Sequence, residues 1–91
     1  MNINEIAEYL GEDIAVFDNY SYDTAFVGVS YDNRAIYDYE KMIEYLMDKD
    51  FTYEEAIEWI DYNTFRALPY MGEKAPIILF RKEYFLWRLK C

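Results

Sequence analysis

Carboxylates are the residues of this chain whose type and spacing could do chemistry. Glu54, Glu55, Glu58 and Asp61 fall on one side of a helical repeat, and Glu54 with Glu58 is a like-charge pair one turn apart. Such a pair costs a helix about 0.2–0.5 kcal/mol. Glu5, Glu8 and Glu12 repeat the pattern, and Asp38, Glu40, Glu44 and Asp48 nearly do, relieved by Lys41. Clustered carboxylates can serve as paired acid and base, as ligands for Mg²⁺ or Ca²⁺, or as an array that stands in for phosphates. Asp48 and Asp50 near Glu54 and Glu55 lack the glycine-bearing spacing of a calcium loop. Catalysis by a carboxylate pair needs a cleft, for which 91 residues leave little room. Gly11, Gly28 and Gly72 stand singly, so no phosphate-cradling loop is present, and histidine, the usual base near neutral pH, is absent. The expectation is a non-enzymatic protein with no cofactor, no metal and no catalytic residues.

The array reading gains from how the charge is distributed. Seven carboxylates and no cation lie between Met1 and Asn33, and nine carboxylates against Lys41 and Lys49 lie between Asp38 and Asp61. From Tyr62 onward the sign reverses, although the chain as a whole carries −9. Asymmetry of this kind bears on partners and solubility rather than on fold. Carboxylates one helical turn apart stand roughly 5–6 Å apart, comparable to successive phosphates of one strand. A face of Glu40, Glu44, Glu54, Glu55, Glu58 and Asp61 is therefore expected to meet a basic surface. A solvated acidic face is the competing account, and it suits Glu54 and Glu55, which a helix N-terminus favours electrostatically. Direct nucleic-acid binding is disfavoured, because its affinity rests on neutralising phosphates.

Tyrosine accompanies the acid. Tyr22-Asp23, Tyr31-Asp32, Tyr37-Asp38-Tyr39 and Asp61-Tyr62 alternate ring and carboxylate, and the chain holds eleven Tyr, six Phe and two Trp. Most of these rings are expected in the core, since each buries roughly 150–250 Å². Tyr53 and Tyr62, which flank the acidic run, are expected as contact anchors, because tyrosine supplies contact area at low entropic cost.

The elements that must position these residues follow from periodicity and caps. Ile3, Ile6, Ala7 and Leu10 have helical spacing, Ile14–Phe17 fits a strand, and residues 25–31 alternate as a strand. Asp32-Asn33 reads as a two-residue turn into a strand Arg34–Tyr37, giving three strands in meander order. Asp38 caps a helix whose inner stripe is Tyr39, Met42, Ile43, Leu46 and Met47, with Tyr37 and Met42 as its hydrophobic staple. Thr52-Tyr53-Glu54-Glu55 is a capping box. It opens a helix with Tyr53, Ala56, Ile57 and Ile60 inward, which ends before Pro69. At that end Asn63-Thr64-Phe65-Arg66 punctuates an apolar stretch, with Arg66 placed to pair with an acid of a neighbouring helix. Pro76–Phe80 reads as an edge strand and Glu83–Lys90 as a short last helix. The predicted fold is a single α+β domain over 1–91. It has a small antiparallel sheet of three to four strands and three to four helices on one face.

Residues 81–91 form a basic-aromatic extension, in which Arg81, Lys82, Arg88 and Lys90 alternate with Tyr84, Phe85, Leu86, Trp87 and Leu89. Docking on the acidic helices is its default role. The alternative is a small structural or assembly module that homodimerises through this segment. Membrane contact is disfavoured at a net charge of −9. The lone Cys91 excludes an internal disulfide, and with no signal peptide read at the start the expected compartment is the cytoplasm.

Between Val27 and Leu79 the chain resembles a group of small acidic proteins of phages and other mobile elements of Gram-positive bacteria. The resemblance is carried by Arg34-Ala-Ile-Tyr-Asp-Tyr39 and by Glu54-Glu-Ala-Ile-Glu-Trp-Ile-Asp-Tyr-Asn-Thr64. Arg66-Ala-Leu-Pro-Tyr70 and Ala75-Pro-Ile-Ile78 extend it. It implies a genomic setting rather than a chemistry. With the acidic face it leads to the expectation of a protein-binding inhibitor, in the manner of an anti-CRISPR protein. The expected partner is a basic, nucleic-acid-binding host protein, a nuclease or defence effector.

Overall fold

The computed structural model describes Phe17 and residues 20–83. The expected helix around Ile3–Leu10, the strand up to Val16 and nearly all of the last helix lie outside the described residues. Within them the chain is α+β. Strands β1 (Phe26–Val29), β2 (Ala35–Asp38) and β3 (Ile77–Leu79) form one sheet in that order. Helices α1 (Tyr39–Met47) and α2 (Tyr53–Trp59) lie between β2 and β3 in the chain.

The sheet corrects the antiparallel expectation. β1 and β2 pair antiparallel, but β3 runs parallel to β2, so the sheet is mixed. Both helices intervene between β2 and β3, and a chain of that length can return to either end of the sheet. The described helices number two rather than three or four. β3 does take the edge position expected of it, with Pro76 just before the strand.

Local chemistry explains the hairpin. The pairs Phe26 with Tyr37 and Gly28 with Ile36 leave Val27 as an extra residue on β1, a bulge. The bulge turns Val27 outward, 44% exposed, while Phe26 packs on the core. The loop is not the two-residue turn expected at Asp32-Asn33. Ser30 closes it by donating its N–H to the Arg34 carbonyl at 2.9 Å, while the Ser30 hydroxyl oxygen accepts from the Arg34 N–H at 3.0 Å. Asn33 takes the left-handed conformation at φ 62, as a three-residue hairpin loop requires. The Ser30 hydroxyl also donates to Asp32 and holds that carboxyl below its ordinary range.

Asp38 ends β2 and caps α1 as expected, its Oδ1 accepting from the Lys41 N–H at 3.3 Å. Tyr39, Met42, Ile43 and Leu46 are buried; Met47, expected among them, is 44% exposed. The helix closes in a Schellman arrangement. The Phe51 N–H reaches the Leu46 carbonyl at 3.2 Å and the Asp50 N–H the Met47 carbonyl at 3.1 Å, with Asp50 left-handed at φ 72.

The capping box forms in both directions, Glu55 N–H to Thr52 Oγ1 at 3.1 Å and Thr52 N–H to Glu55 Oε1 at 2.9 Å. Thr52→Ala is expected to cost about 1 kcal/mol, read as a thermal midpoint lowered by roughly 4–8 °C in a domain of this size. Ala56 and Ile60 are buried and Ile57 half-buried, whereas Tyr53 lies outward, 41% exposed. Beyond Trp59 the winding loosens into a π-helical stretch, Ile60–Phe65, and tightens again to a 3₁₀ turn, Leu68–Tyr70. Pro69 therefore starts a turn rather than standing after the helical run, since the first turn of a helix needs no proline N–H.

The wide turn directs Thr64 inward, where its hydroxyl meets the hydroxyl of Tyr22 at 2.9 Å. Tyr22 stands just before a 3₁₀ turn (Asp23–Ala25) in the left-handed region at φ 53. That conformation costs a non-glycine residue about 1–3 kcal/mol. It is offset by burying the whole ring, which packs edge-on against Phe17 at 5.4 Å and tilted against Tyr45 at 5.3 Å. Phe26, Tyr37 and Ile78, register neighbours across the three strands, face the same core.

Candidate acidic interface

The expected face divides into three parts. Glu44 of α1 and Glu54 and Glu58 of α2 are exposed, as is Asp61 at the start of the π-helical stretch. No ion pair reaches any of these four among the described residues. Glu55 is exposed but its carboxylate is engaged in the capping box, so it serves the helix first. Glu40 is withdrawn: its side chain is 32% exposed and the Arg81 guanidinium donates to it. Glu54 and Glu58 lie one α-helical turn apart. Asp61 follows after the winding has widened, so the α-helical spacing does not carry on to it.

Two cations adjoin this face without neutralising it. Arg66, expected to pair with an acid, lies over the ring of Tyr62, its guanidinium carbon 4.7 Å from the centroid. Lys49 Nζ lies 4.9 Å from the centroid of Tyr45. Each ring face attracts the cation through its quadrupole. The fold thereby leaves Glu54 and Glu58 of α2 to solvent while Arg66 and Lys49 lie on aromatic faces and Lys41 stands exposed on α1. Tyr62 is 60% exposed and Tyr53 41%, so both expected anchors are reachable.

A buried acid completes the picture. Asp38, read from the sequence as a helix cap alone, is 3% exposed and also pairs with Arg81, Nε to Oδ2 at 2.9 Å. The signal for it was the register of the sheet: Asp38 pairs with Leu79, two residues before Arg81. A tail docked on acidic helices is expected; Arg81 meets Asp38 at the end of β2 and Glu40 on α1, and residues 84–91 of that segment lie outside the described residues.

Among the described residues no three His, Cys, Asp or Glu side chains converge to hold a metal ion, and no helix is long and apolar enough to cross a membrane. In comparisons with known proteins, no family profile, no curated protein and no solved structure matches this chain.

Proposed function

We propose that this protein is a non-enzymatic inhibitor that lays an acidic helical face into the basic, nucleic-acid-binding groove of a host protein. Its setting is a phage or other mobile element, and its target a nuclease or defence effector, of which a CRISPR effector is the most concrete case. The observation that carries the reading is the state of Glu44, Glu54, Glu58 and Asp61, which stay exposed with no ion pair among the described residues while Lys49 and Arg66 rest on tyrosine rings. A surface shaped for stability alone gains from pairing opposite charges one turn apart. Here that gain is forgone, which keeps the negative potential outward. Tyr53 and Tyr62 at the two ends of the run would supply contact area, and the charge would steer association and make it sensitive to salt.

The test is capture of partners from a bacterial lysate at low and at high salt, beside a variant carrying Glu54→Gln, Glu55→Gln, Glu58→Gln and Asp61→Asn. A nucleic-acid-binding protein retained at low salt, released at high salt and lost with the variant is the expected outcome. Each steered rim charge contributes chiefly to the association rate, so the rate of association with the captured protein is expected to fall about tenfold or more. Capture indifferent to both salt and the variant would leave the acid with a solvating role only.

A further inference from the structure

We propose that Tyr22 and Thr64 are positioning residues of the acidic face: their buried hydroxyl pair holds the wide winding of Ile60–Phe65, and that winding brings Tyr62 and Arg66 into line with Glu54 and Glu58. The exposed residues Glu54, Glu58, Tyr62 and Arg66 follow one another at steps of four, and so do the buried residues Ala56, Ile60 and Thr64. An α-helix turns about 100° per residue, so eight residues of it leave the last side chain roughly 80° out of line with the first. Yet Ala56 and Thr64 are eight residues apart and both buried, and Glu58 and Arg66 are eight apart and both exposed. The π-helical stretch turns less at each residue and so takes up that drift.

A π-helical turn is rare and needs something to hold it. Thr64 is buried, so its hydroxyl needs a partner inside the fold, and the Tyr22 hydroxyl stands 2.9 Å away. Tyr22 cannot follow Thr64 outward. Its ring is 1% exposed, and its backbone is set in the left-handed region just ahead of the 3₁₀ turn. Rotating Thr64 off the buried line would leave the phenol hydroxyl alone in the core, at the cost of an unmade bond. At the entry of the wide turn the Asn63 side-chain amide donates to the Trp59 carbonyl at 3.2 Å, a second tie.

The consequence is the composition of the face. Under even α-helical winding Asp61 and Tyr62 would stand on either side of the line through Glu58, about 60° and 40° away, and Arg66 roughly 80° off it. With the wide turn the line runs carboxylate, carboxylate, tyrosine, guanidinium, and its last two members are stacked. A row so composed has a direction, which a row of three carboxylates lacks. That a partner reads this row rests on the function proposed above; the hold of Tyr22 and Thr64 on the winding does not.

The experiment follows the Arg66 Hδ protons by NMR in Thr64→Val, Thr64→Ser, Tyr22→Phe and Thr52→Ala. The Tyr62 ring displaces those signals upfield while the guanidinium lies over it. Thr64→Val and Tyr22→Phe are expected to lose most of that displacement, whereas Thr64→Ser, which keeps the hydroxyl, retains it. Thr52→Ala weakens the same helical run at its other end, so it should lower the thermal midpoint without moving the signal. That contrast separates loss of winding from loss of stability. Should Tyr22→Phe not fold, Thr64→Val decides alone, because valine keeps the shape of threonine. An Arg66 signal unchanged in Thr64→Val, or changed as much in Thr52→Ala, would overturn the hold on the winding. For a partner captured as above, binding should weaken about tenfold with Thr64→Val and be kept by Thr64→Ser; equal binding by the two would overturn the positioning role. Failure to capture a partner counts against the proposed function alone, since the NMR comparison needs none.

Discussion

Leu46→Ala is expected to remove about 2–5 kcal/mol of stability, which in a domain of this size is a large part of the whole. Leu46 is wholly buried on α1 among Met42, Ile43, Ala56 and Ile60. Its truncation loses the transfer energy of the missing carbons and leaves a void that two packed helices and a sheet cannot close. Its backbone has a second duty, because the Leu46 carbonyl accepts from both Lys49 and Phe51 in the turn that leads to α2. Alanine keeps those bonds, so the loss reports packing alone. Urea unfolding followed by tryptophan fluorescence would measure it, through Trp59. The midpoint should fall with an unchanged slope, as for a change in stability without a change in the surface exposed. A loss below about 1 kcal/mol would place Leu46 outside the core.

Alkaline pH is expected to unfold the protein through Tyr37. Its ring is fully buried between Phe17 and Phe26, and its hydroxyl has no hydrogen-bond partner among the described residues. Burial, with a smaller contribution from the Asp23 carboxylate, pushes the phenol up to about 12 from an ordinary value of 10.0. The folded state keeps this proton while the unfolded chain releases it. Between about pH 10 and 12 the folded protein therefore binds more protons, and stability falls as pH rises. The contribution is complete below pH 10, and its loss reaches about 2–3 kcal/mol at the upper end. Tyr22, also raised by burial, adds to the same slope. Tyrosinate absorbance during alkaline titration should show the buried phenols of Tyr37 and Tyr22 ionising together with unfolding. Tyr37→Phe should flatten the slope and leave neutral-pH stability equal or higher, by up to about 1–2 kcal/mol, because it deletes an unpaired buried hydroxyl. Tyr22→Phe should act in the opposite sense at neutral pH, since it strips Thr64 of its partner. Identical behaviour of the two variants would contradict the hydrogen bonding described.

What could be read before folding was what the backbone decides locally. The Asp38 cap, the Thr52 and Glu55 box and the buried stripe Tyr39, Met42, Ile43 and Leu46 depend on neighbours three or four residues away, and all are present. What could not be read depends on partners distant in sequence. The direction of β3 is set by how the intervening helices pack, and no residue of Ile77–Leu79 encodes it. The bulge at Val27 shifts which side chains face the core, so a regular alternation over residues 25–31 had only half its phase right. Tyr53 was assigned inward from spacing alone, but it opens the helix, where the first turn projects past the packed face. Of the acidic face, the exposed positions followed from helical periodicity. The removal of Glu40 and the placement of Arg66 on Tyr62 followed from tertiary geometry.

The parallel pairing of β2 with β3 also orders how the molecule comes together. β1 and β2 are joined by a three-residue loop and can find one another early, since closing a short loop forfeits little chain entropy. β3 has no such neighbour: its register with Asp38 spans both helices, so it can seat only after α1 and α2 have shortened the path between them. Arg81, two residues beyond that strand, reaches Asp38 later still. Among the described residues, the contact that answers the buried Asp38 carboxylate thus waits on the seating of β3, and until β3 is seated Arg81 is not in place beside it.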